Sequence, residues 1–111
     1  MEEYNNMIEH YVLMTRILMG ENKLENNVLV RQSKPNWIWV HLEKGPSPHA
    51  VIEVERATRD ELYTAANLVV ENSERRFDKN VKVIYTQIRH LKLTENPGEV
   101  ILKKKPKNIK I

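Results

Sequence analysis

The sequence predicts a single α+β domain, a mixed, mainly antiparallel sheet carrying two helices. Three observations predict it. Short runs of β-branched and aromatic residues recur at strand length. Two longer segments carry apolar residues at three- and four-residue spacing behind a capping residue. The three glycines and five prolines all fall between these segments. The resulting order of strand, helix, strand, strand, helix, strand, strand is that of an α+β domain. At 111 residues the chain is the size of one such domain. Folding then hides roughly two thirds of the unfolded surface, enough for a core without metals or cross-links.

Tyr11 to Met19 is rich in strand-compatible residues and stops at Gly20, so it reads as one strand followed by a turn. Residues 1–10 are polar and read as a loose arm or a short extra strand, leaving 11–111 as the domain proper. Asn22 caps a helix to about Arg31, with Leu24, Val28 and Leu29 spaced to face a core. Trp37 to Leu42 and His49 to Val54 form neighbouring strands around a turn at Lys44 to Ser47. Thr58-Arg59-Asp60-Glu61 has the form of a capping box. The helix behind it runs to about Glu74, and its Ala65 and Ala66 allow close packing on the sheet. Val81 to Thr86 and Glu99 to Lys103 are further strands, joined by a loop that ends at Pro97-Gly98.

The absence of cysteine excludes a disulfide scaffold, a thiol nucleophile and any Cys-ligated zinc or iron–sulfur site. The longest apolar stretch is broken by Thr15 and Arg16 and is far short of the roughly 20 residues a membrane span needs. Glu2 and Glu3 stand where a targeting signal would carry Lys or Arg. The expected location is the cytosol, or a nucleus into which so small a chain can diffuse. Charge is unevenly spread: residues 1–74 hold 7 Lys/Arg against 12 Asp/Glu, residues 75–111 hold 11 against 3. A basic third attracts a phosphate backbone through counterion release, and it also fits a solvated face with a Lys-rich tail.

The motif inventory argues against an enzyme. His41 and His49 flank the turn, but Glu43 beside them completes no zinc-binding pattern. There is no nucleophile elbow, phosphate loop or carboxylate pair. No metal or other cofactor is expected. Trp37 and Trp39 fall on one face of their strand, where they stack exposed bases or form core; Tyr85 is similar. Arg89, His90 and Lys92 lie in the expected loop and are the leading candidates for phosphate contacts. Arg75, Arg76, Lys79 and Lys82 approach the same strand and extend these into one basic patch. The run Lys103-Lys104-Lys105 with Lys107 and Lys110 reads as an import-like cluster or as a lysine-protected edge strand.

Taken in order, several pieces of the chain resemble the NFACT-R domain, the RNA-binding-type module of NFACT ribosome quality-control proteins and of smaller coiled-coil proteins. They are Met19-Gly20-Glu21-Asn22 to Leu29, Ile38-Trp39-Val40-His41, Gly45-Pro46-Ser47-Pro48-His49, Val83 to Thr86, Arg89 with Lys92, and Pro97-Gly98-Glu99-Val100. The resemblance spans about residues 18–102, so 11–111 reads as one free-standing NFACT-R-like domain. Asn22, Asn26, Trp39, His41, Ser47, His49, Tyr85, Arg89 and Lys92 fall on characteristic positions of the family. Trp37 replaces the family's acidic residue, and Gly45-Pro46 reverses its Pro-Gly turn. The resemblance implies binding without catalysis, with RNA (tRNA, rRNA or a single strand) as partner. DNA is a further partner, since phosphate contacts do not separate the two, and a ribosome-associated protein is the alternative. It also implies that His41, Ser47 and His49 order the turn or line a polar groove.

Overall fold

The computed structural model describes residues 7–111. In chain order the elements are β1 (Ile8–Val12), β2 (Thr15–Met19), α1 (Lys23–Gln32), β3 (Ile38–Leu42) and β4 (Ala50–Ile52). They continue as α2 (Arg59–Glu71), β5 (Lys82–Gln87), a 3₁₀ turn (Ile88–His90), β6 (Leu91–Leu93), β7 (Val100–Leu102) and β8 (Lys107–Lys110). Six strands form one sheet in the order β1-β2-β4-β3-β5-β8, and β6 with β7 makes a separate ribbon. Every pairing among the described residues is antiparallel. The α+β class, the two helices and the mainly antiparallel sheet are as the sequence predicts.

Strand alternation sorts the core into two halves. Ile38, Val40 and Leu42 of β3 point to one face, where Ile17, Ala50, Ile52 and Val83 meet Ala65, Ala66, Val69 and Val70 of α2. Trp39 points to the other face, where Leu18, Val51 and Ile84 meet Leu29 and Val30 of α1 and Ile88 and Leu91 of the following segment. The sheet is therefore covered on both faces, by α2 on one and by α1 with the β6–β7 ribbon on the other. The alanines of α2 are fully buried, so this helix seats without large side chains. Its start is fixed by the capping box: the Glu61 amide donates to the Thr58 hydroxyl at 3.1 Å, and the Thr58 amide donates to the Glu61 carboxylate at 2.8 Å.

Three expectations are corrected. The single strand Tyr11 to Met19 is a hairpin: β1 and β2 pair from Ile8 with Met19 to Val12 with Thr15. The turn between them is Leu13-Met14, with Leu13 in the left-handed region at φ 54°. Apolar residues without Gly or Asn at the tip made a turn look like strand. The polar stretch before Tyr11 supplies this extra strand from Ile8 onward, and residues 1–6 of the expected arm lie outside the described residues. Second, Leu24 is 64% exposed. It stands in the exposed first turn of α1, whereas Asn26, Val28, Leu29 and Val30 further along are buried. Third, the expected loop after β5 holds the 3₁₀ turn and β6, whose Leu91 and Leu93 alternate into the core. Of the two readings of the Lys-rich end, the structure takes the edge strand: Lys107 to Lys110 form β8, paired with β5 from Lys82 with Lys110 to Tyr85 with Lys107. Lysines on an exposed edge keep it from pairing with other chains. No helix among the described residues is long and apolar enough to cross a membrane.

Candidate nucleic-acid interface

The candidate residues separate into two groups at opposite ends of the sheet. At one end, β3 delivers Trp39 and His41, the turn before β4 delivers Ser47 and His49, and the start of α1 delivers Asn22 and Asn26. Asn22 caps α1 by accepting the Glu25 amide at 2.9 Å. One turn on, the buried Asn26 accepts the His49 amide at 3.1 Å. Gly20 closes the same corner, its amide donating to the His49 carbonyl at 3.0 Å. A side chain at Gly20 would collide with Asn26. Ser47 orders the turn, accepting the Leu42 amide at 3.2 Å and donating to the Pro48 carbonyl at 2.9 Å.

The three aromatic rings form one cluster. Trp39 and His41 lie nearly parallel with centroids 5.3 Å apart, and His49 meets both edge-on at 5.5 and 4.7 Å. The Trp39 indole N–H donates to His49 Nδ1 at 3.0 Å, so His49 carries its proton on Nε2, where it meets the Gly98 backbone. Burial, with His41 close by, pushes the His49 imidazole down to about 3. His41 Nδ1 lies 2.7 Å from the Leu42 carbonyl, and burial lowers its imidazole too. His49 is thus neutral at pH 7, a buried ring held by the Trp39 indole that forms part of the floor. Among the described residues no group of three His, Cys, Asp or Glu is placed to hold a metal ion.

This floor underlies an open groove of about 1050 Å³. Its rim carries Glu21, Glu71, Glu74 and Glu99 against Lys23 and Arg76, the wrong sign for a phosphate. Trp39, only 1% exposed, is core, as is His49. Arg75 is paired with Asp78, and Lys82 lies 3.9 Å from Glu43.

The other end is basic. The 3₁₀ turn is tied to the segment before β3: the Ile88 amide donates to the Trp37 carbonyl at 2.9 Å and the Arg89 amide to the Pro35 carbonyl at 2.8 Å. Trp37 is half-buried with the Lys34 ammonium 5.6 Å from its ring centroid. The Lys103 amide donates to the His90 carbonyl at 2.8 Å, which brings the lysine run beside the 3₁₀ turn. Burial, then the charges of Lys104, Arg89 and Lys103, hold the His90 imidazole below its ordinary value. Lys92 points outward from β6, whose Leu91 is buried. Among the described residues the ion pairs join Arg16 to Glu9 and Glu53, Arg75 to Asp78 and Lys82 to Glu43, and none involves these cations.

The expected continuous patch is therefore corrected. Lys82 opens β5 and Arg89 lies beyond its far end, so at strand rise the two are about 20 Å apart. Arg76 lines the groove, and Arg75 and Lys79 shortly precede Lys82 in the chain, while Arg89 and His90 lie at the other end, with Trp37 packed on one face of the sheet and Tyr85 on the other. Sequence reasoning missed Gly98 and Asn27, which close the groove through the Gly98 amide donating to Asn27 Oδ1 at 3.2 Å. It also missed the grouping of Arg56, Lys104, Lys105 and Lys107 around Tyr85. The alternation of Lys107 and Ile109 was the available signal for the strand that places them.

Comparison with known proteins bears on this arrangement. The sequence model described as "NFACT protein RNA binding domain" matches residues 7–104. The chain belongs to the NFACT-R family. Its relatives include mouse coiled-coil domain-containing protein 25, 34% identical over 85 residues that make up 70% of this chain and 41% of that protein. Rqc2 homolog RqcH of Bacillus subtilis is 30% identical over 92 residues, 80% of this chain and 16% of RqcH. This NFACT-R chain thus spans less than half the length of either relative. Among solved structures, the C-terminal part of a fibronectin/fibrinogen-binding protein from Streptococcus suis superposes with a TM-score of 0.84 at 27% identity. That likeness covers 93% of this chain and 44% of the other. An NFACT-R domain is of an RNA-binding type.

Proposed function

We propose that this NFACT-R domain is a non-enzymatic RNA-binding module whose basic end, Arg89, His90, Lys92 and Lys103 to Lys105, engages phosphates. The observation that carries the reading is the hydrogen bond from Lys103 to His90, which joins two distant basic segments into one cluster without carboxylate partners among the described residues. Release of counterions from a phosphate backbone by such a cluster supplies affinity without sequence preference. Half-buried Trp37 beside Arg89 offers one edge for stacking a base. Arg75, Arg76, Lys79 and Lys82 take a lesser part, because two of them face carboxylates and all lie at the far end. The RNA-binding type of the family, with the ribosome quality-control setting that the sequence resemblance implies, favours RNA on or near the ribosome, such as tRNA or rRNA, in the cytoplasm.

The test is fluorescence anisotropy against tRNA, a single-stranded RNA and a DNA duplex over a series of salt concentrations. Affinity is expected to fall steeply with salt. Arg89→Ala/Lys92→Ala is expected to weaken binding alike for different sequences and to flatten the logarithmic slope by roughly 1 to 2. Binding that ignores salt, or a variant that binds like the parent, would overturn the reading.

A second reading, an adaptor docking on a ribosome-associated protein, is favoured by the carboxylate rim of the groove, which suits a cationic protein segment. Partners that stay bound after nuclease treatment would support it over RNA.

A further inference from the structure

A second cavity, of about 380 Å³, opens where β5 runs out from under α2. Its floor is apolar: Ile38 of β3, Ala57, Leu62 of α2 and the half-buried ring of Tyr85. Thr86 and Gln87 supply hydrogen-bonding groups on the wall. Around the mouth stand Arg56, His90, Lys104, Lys105 and Lys107, against the single carboxylate of Glu55. Lys107 is the cross-strand partner of Tyr85, so both side chains rise from the same face of the sheet. An apolar floor with an aromatic ring, amide and hydroxyl groups beside it and cations at the rim matches the parts of one nucleotide. The volume sits at the lower end of the roughly 300–1,000 Å³ of small-ligand pockets and cannot admit a duplex.

We propose that this cavity takes a single nucleotide of a single-stranded RNA, its base against Tyr85 and its flanking phosphates on Lys105, Lys107 and Arg56. The proposal rests on the RNA-binding reading and deepens it, because it turns a general phosphate contact into a preference for unpaired bases. A duplex reaches the outer cations only. A strand with a free or splayed base also fills the cavity, and stacking on an aromatic ring is sequence-tolerant because every base has a π-face. The same chemistry is offered by a free mononucleotide, which lacks only the neighbouring phosphates.

The experiment compares a single-stranded RNA of about ten nucleotides, a blunt RNA duplex of equal length and adenosine monophosphate on three proteins. These are the parent, Tyr85→Leu, which keeps an apolar side chain over the core, and Lys105→Ala/Lys107→Ala on the exposed rim. Anisotropy reads affinity for the strands, and ¹H–¹⁵N chemical shifts read the position of all three ligands. The single strand is expected to bind tighter than the duplex, to shift the amides of Tyr85, Thr86, Gln87 and Lys107, and to lose roughly 5- to 150-fold in affinity with Tyr85→Leu. The duplex should lose little with that variant. Equal affinity for strand and duplex, with shifts confined to Arg89 and Lys92, would overturn the nucleotide site while leaving the RNA reading intact. Absence of salt-dependent binding to either RNA would overturn both. Shifts at 85–87 from the monophosphate matched by none from the strand would assign the cavity to a free nucleotide and refute the single-strand proposal.

Discussion

Lowering the pH from 7 to 5 is expected to destabilise this domain by at least about 2 kcal/mol, through His49. Its imidazole titrates at about 3 in the folded protein, because burial and the neighbouring His41 oppose charge, against about 6.5 once unfolded. The unfolded state therefore binds more protons between those values. Stability rises with pH across that window and is lost as pH falls below about 6.5. At 1.36 kcal/mol per unit, the 1.5 units between 6.5 and 5 come to about 2 kcal/mol. His41 and His90, also lowered, push in the same direction. Glu61 works in a different window. Burial opposes its charge, but hydrogen bonds from Thr15 and Thr58 outweigh this and hold the carboxyl below its ordinary value. Its contribution is present above about 4.5 and fades only as pH falls further. The interval from pH 7 to 5 thus reports the histidines. Urea denaturation at the two pH values measures the loss, and a melt should show a drop of roughly 10 °C. His49→Gln can still accept from Trp39 and donate to Gly98 but does not titrate, so it should remove about 2 kcal/mol of the difference. A pH-independent parent, or an unchanged loss in the variant, would refute the reasoning.

Trp39→Phe removes the indole N–H from His49 Nδ1 and leaves a buried acceptor unpaired, so urea denaturation at pH 7 should show a cost of about 1–3 kcal/mol beyond the lost volume. Gly98→Ala should destabilise by more than about 1 kcal/mol in the same assay, since φ is +83° and the new methyl would stand 3.0 Å from the Lys23 backbone. Thr58→Ala removes the cap of α2 and should cost about 1 kcal/mol, with amide exchange faster in the first turn of that helix than elsewhere.

The two helices and the central strands were legible because their signals are local. Asn22 and Thr58 announce helix starts by side-chain chemistry that operates within three residues, and the Trp37 to Leu42 run alternates cleanly between faces. The hairpin tip at Leu13-Met14 was not, since neither residue is a turn former and the left-handed Leu13 is held by the register of the strands beside it. Leu24 misled for a related reason: its spacing from the buried Val28 is helical, but it stands in the first turn of α1, and spacing does not say how far along a helix the core extends.

The candidate site divides the same way. By itself the sequence determined the family pattern, the absence of cysteine chemistry and the basic bias of residues 75–111, all of which are properties of residue type and order. Only the tertiary structure decided that Lys82 and Arg89 stand at opposite ends of one strand, and that Lys103 to Lys107 return beside His90 and Tyr85. It also decided that His41 and His49 meet edge-on in a floor of neutral rings. The reason is that electrostatic and stacking interactions act over a few ångströms in space, and chain return through antiparallel pairing sets those distances independently of separation in sequence.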